Sequence, residues 1–228
     1  MRNIYPYKQA RQMYNTTNGA GFKDAMDTTK AFLRQPMSDT LTVDHTAGLK
    51  NLSFFTGAVG NLFKTNMSLS GQFPNGQDFL AWNLQLYFQP GVLNSPAIAT
   101  TAVQAQYVND VAAFYGAGSI AGQNNATATI NILSAPWLKA PVNMLPPANR
   151  LVGSVAVGVA NDTASTINIA NNAIASWGGE VFDLNGLWLP SNTNFEVAVA
   201  LNLAGGLPSG VDGTLTAVLD GVLYRNTQ

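Results

Sequence analysis

Phe195-Glu196-Val197-Ala198-Val199-Ala200-Leu201-Asn202-Leu203 alternates large apolar residues with small or polar ones at every step. A period of two places Phe195, Val197, Val199, Leu201 and Leu203 on one face and Glu196, Ala198, Ala200 and Asn202 on the other, as in a strand with one buried side. Downstream, residues 214–225 are apolar on both faces, with Leu215, Leu219 and Leu223 on one and Val218 and Val222 on the other, so this strand is expected to be covered on both sides. Upstream, residues 40–45 alternate through Leu41, Val43 and His45, residues 52–56 hold Phe54-Phe55, and residues 79–88 are aromatic and aliphatic. Residues 126–133, 151–159, 166–170 and 180–184 give further strand signals, separated by Gly, Asn, Ser and Pro clusters. The fold class is all-β.

Helical periodicity is confined to a few places. Short stretches at 8–14 and 22–33 (Phe22, Ala25, Met26, Thr29 and Leu33 on one face, closed by Pro36) read as helix, as does 100–115, where Val103, Tyr107, Val111 and Phe114 share a face before Gly116. Residues 134–149 carry Pro136, Pro141, Pro146 and Pro147 and read as a linker. An internal match joins the halves: Leu69 to Phe79 aligns with Leu184 to Phe195, each running from a Leu-x-Gly turn through an aromatic, a Pro and a polar loop to a Phe. Gly71, Pro74 and Phe79 thus correspond to Gly186, Pro190 and Phe195, which favours two similar β units in tandem. The expected division is 1–37, an N-terminal basic arm with short helix; 38–138, a first β unit; and 139–228, a second.

Only 10% of the 228 residues are charged, against about 25% in an ordinary soluble protein, while 46% are hydrophobic. Asn, Thr, Ser, Gln and Gly stand where charge is missing, and such a surface suits a protein much of whose exterior becomes interface, since burying an amide or hydroxyl costs less than burying an ion. Cysteine is absent, which removes disulfides and thiolate metal sites. The first residues lack the apolar core of a signal peptide, so cytosolic synthesis is expected. Arg2, Lys8, Arg11, Lys23, Lys30 and Arg34 all precede residue 35, opposed only by Asp24 and Asp27. This basic arm is a candidate for assembly contacts or for phosphate and lipid headgroups on an inner surface.

Catalytic chemistry is sparse. There is one histidine, His45, and two glutamates, Glu180 and Glu196. On a strand, Asp44 and His45 would point to opposite faces, so the expectation is a half-buried strand histidine and no catalytic residue. No spacing fits a metal loop or phosphate cradle, and no cofactor is expected. Carboxylate pairs such as Glu180 with Asp183, or Glu196 with Asp220, are weak glycosidase candidates.

Phe54-Phe55, Lys64-Thr65-Asn66-Met67, the run Gly71 to Phe79 and the closing Leu219-Asp220-Gly221-Val222-Leu223-Tyr224-Arg225 resemble the jelly-roll major capsid proteins of small tailless icosahedral bacteriophages, the double jelly-roll type above all. The resemblance implies two tandem jelly-roll sandwiches and trimeric capsomers that join into an icosahedral shell. It further implies other virion proteins as partners, with an internal membrane or the genome as partner of the arm. Localisation would be the virion, after synthesis in the host cytoplasm. The helix at 100–115 has no counterpart in the second half, which keeps a single elaborated jelly roll open. The rivals are a carbohydrate-binding sandwich that stacks Trp82, Trp137, Trp177 or Trp188 on a sugar, and a virion spike protein.

Overall fold

The alternating run at 195–203 is a strand in the computed structural model, buried and exposed in turn as its period dictates. The structure describes residues 30–94 except 58 and 62, parts of a helix between 106 and 114, residues 126–145, the pairs 155–156 and 168–169, and residues 183–226. Among these the strands are β1 (Lys30–Arg34), β2 (Met37–Val43), β3 (Gly48–Phe54), β4 (Gln77–Gln89), β5 (Ala126–Ile132), β6 (Ala135–Pro141), β7 (Val155–Ala156), β8 (Asn168–Ile169), β9 (Asp183–Leu189), β10 (Phe195–Leu203) and β11 (Gly213–Asn226). They form two antiparallel sheets that share one hydrophobic core. One runs β1-β11-β4-β9, with β2 continuing β1 along the same edge of β11, and the other runs β3-β10-β5-β6. Among the described residues β7 and β8 pair with each other.

The pairings nest. β5 pairs with β6, β4 with β9, β3 with β10, and β2 with β11, so the chain is one long hairpin rolled into a sandwich. The contacts β11 to β4 and β10 to β5 close the roll. This is jelly-roll winding, made once. Separate sandwiches in 38–138 and 139–228 do not describe these pairings, because each sheet takes strands from both spans and the 138/139 boundary falls inside β6.

Two further local expectations change. The proline segment is not a linker throughout: Pro136 and Pro141 sit in β6, an edge strand, where a missing backbone donor is tolerated. Lys30–Arg34 is strand, not the end of a helix, because its backbone completes the edge of β11. Residues 1–29 of the expected arm, and the helix placed at 8–14, lie outside the described residues. The helix at 100–115 is present where described, between 106 and 114, and it buries Tyr107, Val111 and Phe114.

Each pole of the sandwich is closed differently. At one, Phe114 stacks on Phe88 of β4 at 4.2 Å, and the fully buried Asp110 takes hydrogen bonds from the Ser209 amide (2.9 Å) and hydroxyl (2.6 Å) in the β10–β11 connection. At the other, Phe73 lies stacked between Phe79 (5.2 Å) and Phe195 (5.3 Å), with Phe55 5.6 Å from Phe195. Such ring pairs add roughly 0.5–1.5 kcal/mol each beyond burial. β11 is covered on both faces at its far end: Val222 and Tyr224 are buried with Leu80, Trp82 and Trp188 on the side away from the main core.

Candidate functional site

The residues of the internal match meet at the phenylalanine pole. Phe195 donates its amide to the Gly71 carbonyl (2.7 Å), Asn192 donates to Phe73 (3.0 Å), and Phe79 lies opposite Leu189 in the β4–β9 ladder. Gly71 and Gly186 both adopt positive φ, at 67° and 78°, and the carbonyls of Pro74 and Pro190 each accept a turn hydrogen bond, from Gln77 and Thr193. The two segments therefore do similar local work and pack together. Phe79 opens a strand of one sheet and Phe195 a strand of the other.

Beside this pole lies an open cleft of about 360 Å³ lined by Thr56, Ser70, Asn131, Ser134, Asn194 and Glu196, with Gly71 and Phe195 at its floor. Glu196 accepts from the Ser53 hydroxyl (2.5 Å) and the Asn131 amide (2.8 Å), and these two bonds, Ser53 first, hold its carboxyl below the ordinary value of 4.5. The cleft thus carries one ionised carboxylate and no cation in its lining. Asp220, the other half of an imagined carboxylate pair, lies in the opposite sheet and bonds Arg34 at 3.1 Å. Arg34 is therefore tied to the sandwich, Lys30 belongs to β1, and Arg2, Lys8, Arg11 and Lys23 lie outside the described residues.

His45 departs from expectation. β2 ends at Val43, and Asp44 turns the chain by accepting from the Thr46 amide at 2.7 Å. His45 then lies in the connection to β3, where its Nδ1 and its backbone amide both meet Asp212 Oδ1, at 2.7 and 2.9 Å. That bond lowers the Asp212 carboxyl, and the Thr46 contacts hold Asp44 at about 2. Asp44, His45 and Asp212 bring ligand atoms within 4.8 Å of one another and could hold a cation, or Asp212 could orient the imidazole as a base. Thr46 Oγ1 on that turn accepts from Lys50 at 2.7 Å, and the Thr46 side chain also hydrogen-bonds Asp44. Sequence spacing gave no sign of the dyad, since its members are 167 positions apart.

Apolar side chains stand exposed at two edges. The β3–β4 connection is clipped to the free edge of β2: Thr40 donates to the Lys64 carbonyl (2.8 Å), Asn66 to Ser38 (3.2 Å), Ser38 to the Asn66 side chain (2.8 Å), and Thr65 bridges Asp39. Asn61 accepts the amides of Phe63, Lys64 and Thr65, and this tight turn leaves Phe63 98% exposed. At the far edge, Leu133 and Ser134 join β5 to β6 with φ of 49° and 64°, a two-residue turn that favours Asn-Gly. Leu133 is 68% and Trp137 48% exposed there. Left-handed backbone at a non-glycine residue costs about 1–2 kcal/mol. Replacing Leu133→Asn together with Ser134→Gly is therefore expected to raise unfolding stability in urea by about 1–2 kcal/mol.

The fold and these surfaces define the class of the chain: an all-β, jelly-roll-wound sandwich with exposed apolar edges. No protein-family model, curated protein or solved structure matches it.

Proposed function

We propose that the chain is a structural subunit that self-associates into a virion shell, a major capsid protein in trimeric capsomers, and not an enzyme. The observation that carries this is the outward face of the β3-β10-β5-β6 sheet. Leu49, Asn51, Ser53, Ala198, Ala200, Asn202, Thr127, Thr129 and Asn131 lie on it, with Leu49 78% exposed, and of its paired residues only Glu196 and Lys139 are charged. A sheet face of small and amide side chains with an exposed leucine is poorly suited to keeping a monomer dispersed and well suited to burial against a neighbour. Contacts of residues 1–29 with genome, an internal membrane or neighbouring subunits, and localisation to the virion, belong to the same proposal.

Among the described residues the carbohydrate-binding rival has one supporting feature, the exposed ring of Trp137, since Trp82 is buried and Trp188 packs against Tyr224, while Trp177 lies outside the described residues. Light scattering on the purified chain separates the two readings. Trimers or larger closed particles are expected, with at least about 800 Å² buried per partner in their structure. A monomer that binds glycans would overturn the shell reading in favour of the rival.

A further inference from the structure

Phe63 and the Leu133–Trp137 group lie on opposite lateral edges of the sandwich. Phe63 sits beyond β2, at the outer edge of one sheet, while Trp137 lies on β6, the outer edge of the other sheet on its far side. The clip at Asp39 is tied to the Phe55 amide just past the end of β3, and Trp137 stands beside Pro136, opposite Asn131 near the end of β5. Both groups are rigidly presented. Asn61 and the β2 edge hold the first, and the left-handed turn at Leu133-Ser134 holds the second. A bulky leucine in that backbone conformation is a local cost that the fold itself does not require, and such costs collect at functional surfaces.

We propose that these are the two halves of one head-to-tail contact, in which Phe63 of one copy packs on Leu133 and Trp137 of the next and so joins copies edge to edge. The inference rests on the shell reading above and names the surface through which it operates. Charge supports a second copy as the occupant. Lys64 follows Phe63 and makes no ion pair among the described residues, while Glu196, in the cleft that ends at Ser134, is ionised with no cation in its lining. Seating Phe63 against Leu133 brings a cation toward that carboxylate. Opposite edges joined in this way form a heterologous interface, which gives a ring when the rotation between copies closes and an open row when it does not. An aromatic anchor held in place before binding is the usual form of an interface hot spot.

The test uses the full chain and two variants, Phe63→Ser and Trp137→Ser, followed by sedimentation velocity and thermal unfolding. Each variant keeps one edge intact. Each alone is expected to unfold as the parent does and to associate about thirtyfold or more weakly. Mixed in equal amounts, they should form a heterodimer that grows no further, because one variant supplies Phe63 and the other supplies Trp137. The chain carrying Leu133→Asn and Ser134→Gly should be more stable yet associate less. Variants that assemble as the parent does, or a mixture that stays monomeric, would overturn the contact and leave the shell reading standing. A parent chain that is itself monomeric would overturn both.

Discussion

Gly221→Ala is expected to destabilise the sandwich by about 3 kcal/mol or more. Gly221 lies in β11 where the β11–β4 register shifts after Asp220, and the two backbones approach closely enough that a Cβ would stand 2.1 Å from the Leu80 carbonyl oxygen and 2.8 Å from the Phe79 ring. The first obstacle is backbone of a strand paired on both sides, so it cannot swing away as a side-chain tip would. Relief needs β4 to part from β11, which breaks the longest ladder in the fold and loosens the phenylalanine stack. For a chain of this length the unfolding midpoint should fall by roughly 6–12 °C. Gly205→Ala serves as control, since nothing lies within 4 Å of its Cβ, and should change stability by no more than about 0.5 kcal/mol. Equal effects at both positions would show that the close approach in β11 is not what the fold depends on.

Asp39→Ala should cost about 2–4 kcal/mol. Its carboxylate is 4% exposed and accepts from the Phe55 amide at 2.6 Å and the Thr40 amide at 3.0 Å. Phe55 is buried with φ of 70°, a conformation that persists only while its surroundings hold it. Removing the acceptor frees that residue and the Phe63 turn clipped beside it. Urea unfolding reads the loss, and a change below about 1 kcal/mol would mean the clamp contributes little. The pH dependence has a defined sign. Burial pushes the Asp39 and Asp110 carboxyls above their ordinary 3.8, against the pull of Phe55, Thr40 and Lys64 on the first and of Ser209 on the second. The folded chain therefore binds these protons more tightly than the unfolded one. The resulting stability is complete below 3.8 and is lost as pH rises through the raised folded values. Glu196 acts oppositely, contributing above 4.5 and losing that contribution as pH falls through its lowered folded value. The contribution of Asp39 and Asp110 should decline as pH rises above 3.8, so urea unfolding of Asp39→Ala should lose less stability over that rise than the parent does.

Local pattern carried some of this and not the rest. The alternation at β10 and the two-sided apolarity of β11 show directly in sequence, because burial of one face or both is a property of each strand alone. The Leu69 and Leu184 segments resemble each other because both need a left-handed glycine, a proline turn and a phenylalanine to plug the same pole. That shared work looks like a repeat when pairing partners are unseen. β6 was hidden by Pro136 and Pro141, which an edge strand tolerates, and the 22–33 periodicity does not survive at Lys30–Arg34, where pairing with β11 prevails over helical spacing. Of the surfaces, the scarcity of charge was legible. The Asp212–His45 pair, the cleft around Glu196 and the exposure of Phe63 were not, since each arises from contacts between residues far apart in the chain.

The nested pairing also governs when the fold can form. Ile132 and Ala135, at the apex of the hairpin, are three positions apart, whereas Met37 and Leu219, in the outermost pair, are 182 apart (219 − 37). β11 is the last described strand to leave the ribosome, yet it lies between β2 and β4 in the interior of its sheet. Until it arrives, β2 and β4 present open edges with nothing to pair, and the large sequence separation makes their closure slow. Closure of that sheet thus waits on β11, and a crowded population of nascent chains has an interval in which strand edges can capture one another before the finished surfaces exist.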